Sequence, residues 1–207
     1  MHVEHLASIV SDAVVGVSAV AVAIAAWLGL RKWREELAGK TKFEVARKVM
    51  SPGRKLQQDF ESARNPFTGP WESAGRVRSQ DEPWDVSLVL NEWYARQHRL
   101  RPVIEDLQKL QEAIWEAQTI LSEDSGKQLS DAFKTYQTKW AELSSAIDSY
   151  FEVRRDEAVS GHKYHDQDWL KELKKEIYSR VDDDFAKQTE GATDQLASAL
   201  KPYIAVG

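Results

Sequence analysis

Two histidines and two aspartates crowd the stretch His162-Lys163-Tyr164-His165-Asp166-Gln167-Asp168. Imidazoles three residues apart meet on one face of a helical turn, so His162, His165, Asp166 and Asp168 are the chain's best candidate metal ligands. A polar loop running into an aspartate-capped helix accounts for the same residues without a metal. Gly39-Lys40-Thr41 has the form of the end of a phosphate-binding loop. Arg34 stands where such a loop needs its first glycine, and no strand precedes it, so the amides cannot wrap a phosphate. Thr41-Lys42-Phe43-Glu44 reads better as a capping box that starts a helix. His98 has no acidic residue after it and no nucleotide-binding domain to supply a phosphoryl group. Asp182, Asp183 and Asp184 point about 100° apart on a helix and do not converge. There is no Glu-x-x-His pair for a di-iron bundle, no Gly-x-Ser-x-Gly elbow and no cysteine nucleophile. The expectation is a chain with no cofactor and no catalytic constellation. A metal-dependent enzyme or sensor built on the His162 cluster is the alternative.

What would position any such group is set by the stretch from Ala13 to Leu30, AVVGVSAVAVAIAAWLGL, which carries no charge. At about 1.5 Å per residue it spans roughly 27 Å, close to the hydrocarbon thickness of a bilayer. A buried core helix would carry polar positions on one face, and here Ser18 is the only polar side chain. A signal peptide would carry positive charge ahead of the run, whereas residues 1–12 hold Glu4 and Asp12 and no Lys or Arg. The run reads as a transmembrane anchor. Arg31, Lys32, Arg34, Lys40, Lys42, Arg47 and Lys48 follow it, so the positive-inside rule places the C-terminal side in the cytoplasm of a single-pass plasma-membrane protein. Trp27, Arg31, Lys32, Trp33 and Arg34 are the expected membrane-interface residues. Ala21, Ala25 and Gly29 form a small-residue stripe along which two anchors could pack.

Charge changes along the chain. Residues 31–65 hold ten basic and five acidic residues, and residues 66–207 hold eighteen basic and twenty-six acidic. The basic neck suits anionic lipid headgroups, and the acidic remainder argues against nucleic acid as a partner. The absence of cysteine excludes disulfide staples.

Beyond the anchor the apolar spacing is helical. The anchor helix is expected to end at Ala38-Gly39, with glycine taking the left-handed position beyond the last turn. Residues 39–64 then form a basic linker helix, with Val45, Val49, Leu56, Phe60 and Ala63 on one face and a break near Pro52. Residues 65–83 hold three of the six prolines and form one irregular loop. A helix from Trp84 to Leu121, bent at Pro102, is followed by one capped at Ser125, with the seam Leu129, Phe133, Tyr136, Trp140, Leu143, Ile147, Tyr150 and Arg154. That alternation of four and three predicts coiled-coil packing. A last helix starts at Asp166 or Asp168 and carries Trp169, Leu170, Leu173, Ile177, Val181, Phe185, Ala192, Leu196, Leu200 and Ile204. The fold expected is all-α: a transmembrane helix, then an antiparallel bundle of three to four long helices at 84–207, packed with 40–64.

The segments Trp33-Arg34-Glu35-Glu36-Leu37, Gly39-Lys40-Thr41, Phe43-Glu44, Ala46-Arg47-Lys48 and Arg64-Asn65-Pro66-Phe67, with Leu200-Lys201-Pro202-Tyr203-Ile204 near the end, resemble a group of uncharacterised bacterial single-pass membrane proteins. The resemblance implies a short N-terminal anchor before a helical cytoplasmic region and brings no activity with it. A membrane-anchored interaction or scaffold protein is therefore expected. Its partners would be the bilayer and a protein, or another copy of itself, bound through helical surfaces.

Overall fold

The computed structural model describes residues 2–179 and 183–204, with side chains from residue 22 onward. It is all-helical among those residues: α1 (His2–Ala63), α2 (Trp84–Ile120), α3 (Glu123–Ser160), α4 (Gln167–Ile177) and α5 (Asp184–Ile204). One 3-10 turn, Pro70–Ser73, lies in the loop between α1 and α2.

Four helices close a ring. Lys48 reaches Glu116 and Lys55 reaches Asp106, so α1 and α2 run antiparallel. Gln97 bonds Asp148 and Gln118 bonds Ser130, which gives α2 and α3 the same relation. Gln195 bonds the Gln128 carbonyl and Tyr136 bonds Thr193, so α5 descends beside α3. Gln57 accepts from Thr193, and Phe60 meets Phe185 edge-on at 5.5 Å, which brings α5 back against α1. The bundle is thus up-down-up-down, and α4 lies outside it, packed on α3. Each helix turns one apolar stripe inward, and Phe60, Tyr136, Leu110, Leu143, Ile147 and Leu196 are fully buried where those stripes meet.

Several expected boundaries are corrected. α1 does not stop at Gly39: the helix runs on, and Thr41 donates its hydroxyl to the Leu37 carbonyl instead of capping a new start. Nor does it break at Ser51-Pro52-Gly53, so residues 39–64 are no separate linker helix. Pro52 borders an open groove, where water can serve the carbonyl that lost its donor. At Gly53 α5 packs close, since a Cβ there would lie 2.6 Å from Leu196 Cδ1. In α2 the buried positions Arg96, Leu100, Val103, Leu107, Leu110, Ile114 and Ala117 alternate four and three straight through Pro102, which leaves Ile104 exposed. α3 is capped by Ser122, which accepts from the Ser125 amide, and not by Ser125. The single last helix is two, α4 and α5, with Asp166 capping the first through the Trp169 amide. Val181 and Asp182 lie outside the described residues.

Among the described residues, no helix is long and apolar enough to cross a membrane. Residues 13–21 of the uncharged run, Ala21 included, lie outside the side chains described.

Candidate functional site

Two surfaces stand out once the helices are placed. The first is the free arm of α1. From residue 22 to residue 44 every position is exposed, and the first core residue of the helix is Val45. The arm carries Val22, Ile24, Trp27 (60% exposed), Leu28, Leu30, Trp33 (59%) and Leu37 (50%), all exposed among the described residues. Arg31, Lys32 and Arg34 follow on the same arm, with Arg31 held to Glu35. Gly29 and Gly39 have open space around them. The expected interface residues Trp27 to Arg34 are therefore exposed as a group, and Ala25 and Gly29 of the small-residue stripe are exposed beside them.

The second surface is the far end of the bundle, where residues 65–83 cover the helix ends. A helix C-terminus leaves its last carbonyls without intrahelical donors and carries partial negative charge. Arginines from neighbouring helices serve those carbonyls here. Arg96, fully buried, donates to the carbonyls of Ala63, Asn65 and Pro66. Arg99 reaches the Asn65 and Phe67 carbonyls and pairs with Glu72. Arg64 does the same for α4, donating to the carbonyls of Lys175, Glu176 and Tyr178 while pairing with Asp183. Aromatic faces complete both cages, with Arg96 4.8 Å from the Tyr178 ring and Arg64 4.1 Å from Phe185. Burial lowers the Arg96 pKa and leaves its Nε–H without a partner. The Tyr178 hydroxyl, which donates to Glu92, is raised by burial and by that carboxylate.

Behind the loop Arg76 holds Glu82, Asn91 and Ser87. Hydrogen bonds from Arg76 outweigh burial and bring the Glu82 carboxyl down from 4.5 to about 2. A depressed folded pKa contributes stability above the unfolded value, near 4.3, and loses it as pH falls toward 2. Acid unfolding of the wild type is therefore expected to lose stability more steeply than Glu82→Gln between about pH 4.5 and 2. Parallel stability curves for the two would rule this out. On the frame so braced, Phe67 (82% exposed), Trp71, Val77 and Trp84 stand in solvent.

The chemistry anticipated at other residues is not assembled. Among the described residues, no group of three or more His, Cys, Asp or Glu is placed to hold a metal ion. His162 Nδ1 lies against the Ser160 carbonyl, His165 stacks beside Tyr164, Asp166 caps α4, and Asp168 pairs with Lys171. Asp183 caps the Ala186 amide and is shared with Arg64. His98 is exposed beside Trp71, and the nearby Glu72 is taken by Arg99.

A groove of about 780 Å³ runs between α1 and α2, lined by Arg47, Lys48, Lys55, Lys109, Asp106 and Glu116. Lys55 and Lys109 both bond the buried Asp106, and Lys48 bonds Glu116. Burial pushes Asp106 up, but the lysine hydrogen bonds outweigh it and hold the carboxyl low. Burial and the neighbouring Asp106 raise Asp59. Within the groove Lys55 and Lys109 are thus paired with Asp106, and Lys48 with Glu116.

The arginine caps that brace this end are what sequence reasoning missed. Their signal was Arg96 and Arg99 three apart on one helix face, facing a proline-rich loop whose carbonyls need donors. Comparison of the chain with family models, curated proteins and solved structures gives no match.

Proposed function

We propose that the chain is a membrane-anchored helical scaffold: residues 13–30 span the plasma membrane, and the bundle stands on its cytoplasmic side and binds a protein partner or another copy. The reading is carried by the arm of α1. Val22, Ile24, Trp27, Leu28 and Leu30 are exposed on a helix that becomes core only at Val45. Leaving a large apolar side chain in water forgoes about 1.5–3 kcal/mol, and a bilayer removes that cost for each of them. Trp27, Trp33, Arg31, Lys32 and Arg34 fall at the boundary where indoles and cations meet headgroups. Residues 31–44 then hold the bundle roughly 21 Å from the hydrocarbon edge. Phe67, Trp71, Val77 and Trp84, presented on a braced loop at the far end, support an interaction role, because large aromatic side chains on a rigid frame dominate binding energy at interfaces. The acidic composition of residues 66–207 argues against nucleic acid as the partner.

Alkaline extraction of membranes from cells expressing the full chain tests the reading, together with protease digestion from each side. The chain is expected to remain in the membrane pellet, its bundle protected in intact cells and digested in inverted vesicles. Release into the supernatant at high pH, or digestion of the bundle from outside, would sink it.

A further inference from the structure

We propose that the cleft beside Trp71, at the far end of the bundle, is a docking site for a proline-rich segment of a partner protein, bound as an extended polyproline helix. It rests on the interaction half of the reading above, whose partner it names by chemistry. The cleft, of about 490 Å³, opens between the end of α1, the loop and α2, and is lined by Ser62, Trp71, Glu72, Tyr94, His98 and Arg99. Two glycines set its walls. A Cβ at Gly69 would clash with the Trp71 ring, so the indole packs directly on the loop backbone while the side chain stays 77% exposed. A Cβ at Gly75 would lie 3.0 Å from the Tyr94 hydroxyl, so the loop passes close to that oxygen.

The charges of the cleft are spent on one another. The Arg99 guanidinium gives its N–H groups to both Glu72 oxygens, at 2.5 and 2.8 Å, and to the carbonyls of Ser62, Asn65 and Phe67, which uses every donor the fork has. Glu72 also accepts from the Gly69 amide. What remains is neutral. The Trp71 indole N–H, the Tyr94 and Ser62 hydroxyls and the His98 ring have no hydrogen-bond partner among the described residues. All four can donate, and the indole can only donate.

That inventory selects among the ways a protein segment can be held. Strand addition needs a sheet edge, and the described residues contain no strand. An incoming helix keeps its carbonyls in its own hydrogen bonds, which leaves the donors of the cleft unserved. A phosphorylated or acidic segment needs a free arginine, and Arg99 has no donor left. A polyproline helix fits on each count. It has no internal hydrogen bonds, so its carbonyls are free to accept, and proline brings no backbone N–H that would need an acceptor here. Its rings pack against aromatic walls such as Trp71 and Tyr94. Because the extended form exists before binding, little conformational entropy is lost on docking.

Fluorescence anisotropy of labelled decaproline, titrated with the full chain in detergent, tests the site against a glycine–serine peptide of equal length. Saturable binding of decaproline alone is expected. Trp71→Ala should weaken it roughly tenfold, as loss of an aromatic anchor does, and Tyr94→Phe, which removes only the hydroxyl, about threefold. Val77→Ala, at a loop residue that does not line the cleft, should leave it unchanged. Thermal melts of Trp71→Ala and Tyr94→Phe should match wild type, since the indole is exposed and the hydroxyl is unpartnered among the described residues. Absence of saturable binding, equal binding of the glycine–serine peptide, or binding that survives Trp71→Ala overturns the proposal. In cells, Phe67 (82% exposed) replaced by a photoreactive analogue reports any protein neighbour of the same surface. A protein adduct there without decaproline binding overturns the proline assignment and leaves the interaction role standing, and failure of both overturns both.

Discussion

Arg96→Ala is expected to destabilise the bundle by about 3–5 kcal/mol, the usual consequence of removing one partner from a buried charged cluster. The guanidinium is fully buried and is the donor to three carbonyls at the end of α1, those of Ala63, Asn65 and Pro66. Its loss leaves the buried Ala63 carbonyl without that donor, at a cost of about 1–3 kcal/mol before relaxation, leaves Asn65 with Arg99 alone, and empties the space over the Tyr178 ring. Arg96→Lys should recover only part of this, because one ammonium cannot span carbonyls that a planar fork reaches together. Arg101→Ala, at an exposed position one turn on, should stay within about 0.5 kcal/mol of wild type. Thermal melts of the full chain in detergent read the difference, expected at roughly 10 °C for Arg96→Ala. A melt shared by Arg96→Ala and Arg101→Ala would show that the loop carbonyls find other donors.

The second large effect concerns the membrane. Asp introduced at both Val22 and Ile24 is expected to release the chain from alkaline-washed membranes. Each carboxylate near the middle of a spanning helix costs about 2.5–3.5 kcal/mol, so the pair shifts partitioning by roughly a thousandfold or more. Val77→Asp, at a residue 93% exposed on the far loop, should leave partitioning unchanged. If the doubly charged arm stays in the pellet, residues 13–30 do not hold the chain there.

Much of the bundle was legible because its apolar periods are regular. Val45, Val49, Leu56, Phe60 and Ala63 are buried at the spacing that named them, as are Leu129, Phe133, Tyr136, Leu143 and Ile147 in α3. The boundaries failed where one local signal met a stronger context. Gly39 costs about 1 kcal/mol inside a helix, too little to stop one continued by Lys40, Lys42 and Glu44. Pro52 was read as a break, yet the core face stays in phase across it and Gly53 admits Leu196. The opposite error occurred near residue 180, where Leu173, Ile177, Val181 and Phe185 stand four apart and suggest one uninterrupted helix. α4 ends at Ile177, with Tyr178 drawn to Glu92 and Arg96, and Asp183 caps the Ala186 amide at the start of α5. The arginine caps were harder to read for a different reason: beyond the three-residue spacing of Arg96 and Arg99, their partners are backbone carbonyls of other segments, which every residue possesses and no residue type announces.

The unbroken passage of α1 from the arm into the core has a consequence of phase. A continuous helix resists twisting, so the azimuth of the bundle is locked to the azimuth of residues 22–44. Adding one residue near Gly39 would turn the bundle by about 100° and raise it by about 1.5 Å, whereas adding seven would return it to within about 20° of its original facing. The number of residues in the stalk thus sets the compass bearing of Phe67, Trp71 and Trp84 relative to the helix beneath them, and length and direction cannot be varied independently.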